Sequence, residues 1–132
     1  MLTLVIEPMK PPYEKGIDEG LESLQHEVDG YIEALGLDED ACIICNEEGK
    51  INGMELNRAI RDENGKIADI IAGTFLIVGN GEENFCSLKP DAMKRYKERF
   101  KYPERFMRFG GEIIAIPIRP ERGRPQKAEP ER

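Results

Sequence analysis

The run from Ile67 to Val78, IADIIAGTFLIV, constrains this chain more than any other stretch. It carries one charged side chain in twelve residues, is too short to cross a bilayer, and is rich in Ile, Phe and Val. That composition predicts a central strand buried on both faces, broken or bulged at Gly73. The run closes a longer segment, Ala41 to Gly79, around which the rest of the chain is organised. Its first part, Ala41 to Asn46, reads as a strand that ends at the turn Glu47-Glu48-Gly49-Lys50. In the middle, Leu56, Ala59 and Ile60 follow helical spacing, which predicts one or two helical turns over Met54 to Arg61. Asp62 to Lys66 then reverses the chain, with Asn64-Gly65 able to adopt positive φ.

Before this segment, Leu2 to Glu7 is expected as a strand and Tyr13 to Ile17 as a short edge strand, with Pro8, Pro11 and Pro12 between them. Ile17, Leu21, Leu24 and Val28 recur at spacings of four, three and four, one stripe of an amphipathic helix. Asp18 is its expected N-cap and Gly30 its stop. Tyr31 to Leu35 is a further strand candidate, followed by an acidic loop at Asp38-Glu39-Asp40. After the turn at Gly79-Asn80-Gly81, Phe85 to Leu88 is extended. Ser87 and Pro90 announce a second helix whose apolar stripe is Met93, Tyr96 and Phe100. Glu112 to Ile118 is the last strand candidate.

Two strand-rich blocks, each with a helix, predict an α+β fold: a mostly antiparallel sheet with two main helices packed on one face, or a mixed sheet as the alternative. The 132 residues suffice for one core, so residues 1–118 are expected to form a single domain. The charged, Pro-rich segment 119–132 is expected to be a disordered tail. The opening residues lack a basic stretch followed by an apolar one, so no signal peptide or membrane anchor is expected. Three cysteines, an odd number, point to a reducing cytoplasm. The net charge of -7 is uneven: residues 1–90 hold 7 basic and 19 acidic side chains, and residues 91–132 hold 12 and 7.

The segments GLESLQHEVDGYIE, CNEEGK, LNRAIRD, DIIAGTFLIVG and SLKPDAMKRYKERF resemble, in the same order, domain of unknown function 3846 over roughly residues 1–101. That family is widespread in phages, plasmids and conjugative elements of Gram-positive bacteria. The resemblance implies an origin in a mobile element, in the cytoplasm of a bacterial host, and names no activity. Genes in that setting often encode products that blunt host defence stoichiometrically. The residues beyond Phe100 depart from the family pattern.

Several groups of side chains are candidates for a site. Asn57, Arg58 and Arg61, with Thr74 beside Gly73, offer two guanidinium forks on one helix face, an amide and a hydroxyl, a set suited to an anionic nucleotide. Pairing of the arginines with Asp62, Asp69 or other carboxylates is the structural alternative. Asp18, Glu19, Glu22, Asp38, Glu39 and Asp40 form a candidate acidic face that could occupy the nucleic-acid groove of a CRISPR effector or restriction enzyme. Lys94 to Phe109 packs seven basic and five aromatic residues into sixteen. Within it Lys94, Arg95, Lys97, Tyr102, Arg105, Phe106 and Arg108 are candidates for binding a single-stranded nucleic acid.

Cys42 and Cys45 have metal-like spacing, but residues three apart on a strand point to opposite faces, so no metal site is expected. With one histidine, no nucleophile elbow and no Walker loop, no catalytic residues are assigned and no cofactor is implied. The expectation is a non-enzymatic binding protein, a homo-oligomer with no membrane association. Its partner is either an anionic nucleotide or a host defence protein.

Overall fold

In a computed structural model, residues 1–120 are described. The charged tail expected at 119–132 falls, apart from Arg119 and Pro120, outside the described residues. The described residues form ten strands and two helices: β1 (Leu2–Ile6), β2 (Tyr13–Gly16), α1 (Leu21–Val28), β3 (Ile32–Gly36), β4 (Ala41–Asn46), β5 (Leu56–Arg61), β6 (Ile67–Ala72), β7 (Phe75–Asn80), β8 (Phe85–Cys86), α2 (Pro90–Arg99), β9 (Glu104–Phe109) and β10 (Glu112–Pro117). The architecture is α+β. Its main sheet runs β2-β1-β7-β4-β3, with β8 paired antiparallel to the end of β7, and two separate hairpins, β5–β6 and β9–β10, complete the fold. Every ladder among the described residues is antiparallel, so the mixed sheet does not occur.

The central strands β1, β4 and β7 are buried nearly throughout, as continuous apolar runs demand when both faces are covered. Alternate residues feed two cores. Leu4, Ile6, Ala41, Ile43, Phe75 and Ile77 meet α2 through Leu88, Ala92, Met93, Tyr96 and Phe100. Val5, Cys42, Ile44, Leu76 and Val78 meet α1 through Leu24 and Val28. The helices therefore lie on opposite faces of the sheet, which corrects the expectation that both pack on one. The period of two along each strand gives each face its own apolar set, and each set needs its own cover.

The run Ile67–Val78 is two strands rather than one. Gly73 takes φ of +81°, a left-handed conformation, and separates β6, which belongs to the β5–β6 hairpin, from β7 in the main sheet. The segment Leu56–Arg61 is a strand, not the expected helical turns. Its ladder with β6 is irregular between Leu56 and Arg58 and again between Ile60 and Arg61. The first irregularity puts Leu56 and Ala59, three apart, toward the same core, so a bulged strand imitates helical spacing. One cap assignment also changes. Gly20 stands at the N-cap of α1 in place of Asp18, and Lys89 at that of α2, while Ser87 Oγ accepts a hydrogen bond from Leu2 N at 2.7 Å.

The β9–β10 hairpin stacks on the β5–β6 hairpin. Phe106 and Ala115 on its inner face meet Leu56, Ala59, Ile67 and Ile70. The β5–β6 hairpin is thus covered on both sides, since Ile60 and Ile71 pack into the α2 core.

Candidate functional site

Asn57 and Arg58 are fully buried. Asn57 is the bulged residue of β5, and its amide donates to Ile6 O at 2.9 Å and Gly73 O at 2.8 Å. The Arg58 guanidinium donates from Nε and Nη2 to Phe100 O, at 3.1 and 3.0 Å, to Lys10 O at 2.7 Å, and to Asn57 Oδ1 at 2.8 Å. Phe100 caps the C-terminus of α2, where the helix dipole favours a cation. Burial pushes the Arg58 pKa down from its ordinary value, with the Glu104 charge opposing. Arginine nonetheless stays protonated under protein conditions. These two side chains join β5, the β1–β2 connection, the turn before β7 and the end of α2. Neither lines the groove between the hairpins, and neither pairs with Asp62 or Asp69: the Asp62 carboxylate accepts from turn amides, and Asp69 pairs with Lys50.

Arg61 is exposed and stands three residues after Arg58 with no inserted residue between them in β5, the second irregularity skipping Ala68 of β6, so the two arginines point to opposite faces. It donates to Gly65 O at 3.2 Å and to Ala115 O at 3.4 Å, bridging the β5–β6 turn to β10. Thr74 is half-buried between Gly73 and β7, away from Arg61's groove.

That groove, about 800 Å³, lies between the two hairpins. Leu56, Ile67 and Ile70 line it from β5–β6, Ile113 and Ala115 from β10, with Arg61, Lys66, Lys50 and Asp69 among its polar residues. Lys50 is neutralised by Asp69 at 2.7 Å, whereas Lys66 and Arg61 make no ion pair among the described residues. The arrangement is an apolar cleft with two cations, Arg61 and Lys66, and the carboxylate of Glu112 at its edge. Its volume falls within the range of small-molecule sites. Of the four residues expected to bind a ligand, only Arg61 reaches it. Lys66 was overlooked because it sits in a turn, where a charged side chain reads as solvated.

The acidic residues are divided by the sheet. Asp18, Glu19 and Glu22 flank or belong to the first turn of α1 and are exposed. Asp38 and Asp40 turn to the α2 side, where Asp38 accepts from Tyr96 Oη and from Arg95 at 3.0 Å and Asp40 pairs with Lys89 at 3.0 Å. The Tyr96 hydrogen bond, with the Arg95 charge, holds the Asp38 carboxyl below the usual carboxylate range against its partial burial. Glu39 stays exposed between them.

The basic segment is divided in the same way. Arg95 belongs to Asp38 and Lys97 to Glu14, so the acidic part of the chain takes up two of its cations. Tyr96 and Phe100 are core residues, Phe106 is half-buried against the β5–β6 hairpin, and Tyr102 lies beneath the cations of Lys101 and Arg119. Lys94, Arg105 and Arg108 remain exposed, on two different elements.

Cys42 and Cys45 face opposite cores. Burial pushes both thiols up, Cys45 to about 11, which keeps them protonated and poor as nucleophiles.

The family model for domain of unknown function 3846 matches residues 1–101. The chain belongs to this family. Neither a curated protein nor a solved structure matches. The segment shared with DUF3846 spans the main sheet, both helices and the β5–β6 hairpin, and ends just after α2. The β9–β10 hairpin, which supplies one wall of the groove, lies beyond it.

Proposed function

We propose that this chain is a non-enzymatic binding protein that holds a small anionic ligand of the nucleotide class in the groove between its two hairpins. The observation that carries the reading is the pairing of Arg61 and Lys66 with an apolar cleft of about 800 Å³. A phosphate group suits the two cations, and a base or another planar apolar part suits the cleft formed by Leu56, Ile67, Ile70 and Ile113. Asn57 and Arg58 take no part, since their donors are satisfied inside the fold.

Membership of a family found in phages and conjugative elements supports a biological role. The protein lowers the free concentration of a nucleotide signal used in host defence, acting stoichiometrically in the host cytoplasm. Binding energy alone accomplishes this.

The test is a thermal-shift screen against linear and cyclic nucleotides and ADP-ribose derivatives. At ten- to a hundred-fold above its Kd, a ligand should add about 1.4 to 2.7 kcal/mol of stability. Arg61→Ala and Lys66→Ala should abolish the shift while leaving the unliganded melting temperature nearly unchanged. No shift with any member of the panel would overturn the ligand reading and favour a protein partner for the acidic residues around α1.

A further inference from the structure

The β9–β10 hairpin covers the β5–β6 hairpin with one face and leaves its other face bare. Its register pairs Phe109 with Glu112, Met107 with Ile114 and Arg105 with Ile116, so these six side chains project on one side. The inner side carries Phe106 and Ala115, which are packed. On the outer side Phe109 is 74% exposed, Met107 51%, Ile116 42% and Ile114 40%. Four large apolar side chains in one contiguous patch are unusual for a surface without a partner.

We propose that this face is the docking surface for a second copy of the chain, in a two-fold symmetric dimer. The charges that bracket the patch argue for self-association. Arg105 stands at the base of β9 and Glu112 at the tip of β10, four residue positions apart along the hairpin, or about 13 Å at roughly 3.3 Å per residue. Both are exposed, and neither has an ion-pair partner among the described residues. A two-fold axis lying in the interface, perpendicular to the line joining these residues, sets each Arg105 over the Glu112 of the other copy. The same axis lays the apolar side chains of the two faces against one another.

The patch is therefore self-complementary, with an apolar centre and an opposite charge at each end, as an isologous interface requires. Sheets stacked face to face are a standard packing mode.

Other occupants fit less well. Residues 121–132 contain Ala128 and two prolines but no large apolar side chain, so they cannot fill the patch. A single-stranded nucleic acid needs cations and ring planes, and this face offers one of each, Arg105 and Phe109, among aliphatic side chains. The face shares Glu112 and Ile114 with the rim of the groove, but neither Arg61 nor Lys66 lies on it, so Phe109→Asp tests association apart from the ligand reading.

Sedimentation of the full chain over a range of concentrations tests it. The expected result is a reversible monomer–dimer equilibrium. Arg105→Glu and Glu112→Arg should each weaken it at least about tenfold, a change of about 1.4 kcal/mol. The double exchange, R105E with E112R, should restore it, an outcome that misfolding would not produce. Phe109→Asp should abolish association while leaving the circular dichroism spectrum unchanged. A chain that stays monomeric at every concentration would overturn the proposal, as would a dimer indifferent to Phe109→Asp or single mutants that the double exchange fails to rescue. Saturable binding of a short single-stranded oligonucleotide to a monomer, lost in Phe109→Asp, would also overturn it and assign the face to nucleic acid.

Discussion

The main sheet and the β9–β10 hairpin are both antiparallel and rich in apolar residues, yet they are built to opposite rules. In the sheet, β1, β4 and β7 have α2 on one side and α1 on the other, and even the polar side chains that β5 buries beside it, Asn57 and Arg58, are satisfied there. In the hairpin, one side packs thinly on β5–β6 and the other meets solvent with Met107, Phe109, Ile114 and Ile116. Equal hydrophobicity thus serves stability in one place and remains available for association in the other. The family match ends between the two, at residue 101, so it covers the sheet and stops short of the hairpin.

Arg58 offers the strongest way to break the sheet side of the comparison. Arg58→Ala removes a buried cation and strands Phe100 O, Lys10 O and the Asn57 amide oxygen, a loss expected at about 3–5 kcal/mol in urea unfolding. Ile77→Ala, a cavity in the fully covered core, should cost about 2–4 kcal/mol by the same measurement. Gly73→Ala comes next, at roughly 1–2 kcal/mol, because its φ of +81° opposes a Cβ and that Cβ would meet Met54 Sδ at 2.7 Å.

The Asp38 cluster gives a pH handle on the α2 side. Since its folded pKa is lowered, its contribution is present above the unfolded carboxylate value of about 3.9 and is lost as pH falls through the folded pKa. Asp38→Asn should therefore flatten the acid limb of stability against pH while leaving the neutral limb parallel to that of the parent chain. Least affected should be Phe109→Ala, within about 0.5 kcal/mol for the monomer at low concentration, because that side chain is 74% exposed. A loss comparable to that of Ile77→Ala would mean that the two regions do not differ as described.

Much of the scaffold was legible in the sequence, and the failures have common causes. Strands β1 to β4 and the stripe residues Leu24, Val28, Met93, Tyr96 and Phe100 follow simple periodicities. Those periodicities survive because β1 and β4 send alternate residues to two cores and each helix meets one core on a regular face. Strand β5 was hidden by its bulge at Asn57, which gave Leu56 and Ala59 helical spacing. Strands β6 and β7 merged because both are continuously apolar, and only the geometry at Gly73 sends them to different sheets. Strand β9 went unnoticed because its alternation of Arg and Phe resembles a nucleic-acid platform.

The candidate site was harder still. Arg61 and Ile113 meet only because two hairpins stack, and nothing local in either segment records that contact. Arg58 looks in sequence like the better ligand residue, but its environment consumes every donor it has for binding.

Backbone amide shifts measured by NMR with the strongest nucleotide from the screen would test the ligand-binding groove most directly. The expected pattern is saturable movement at Arg61, Lys66, Ile70 and Ile113, with Arg95 and the α1 residues silent. Shifts centred on α1 or on the outer face of β9–β10, or none at saturating ligand, would contradict the assignment of the groove.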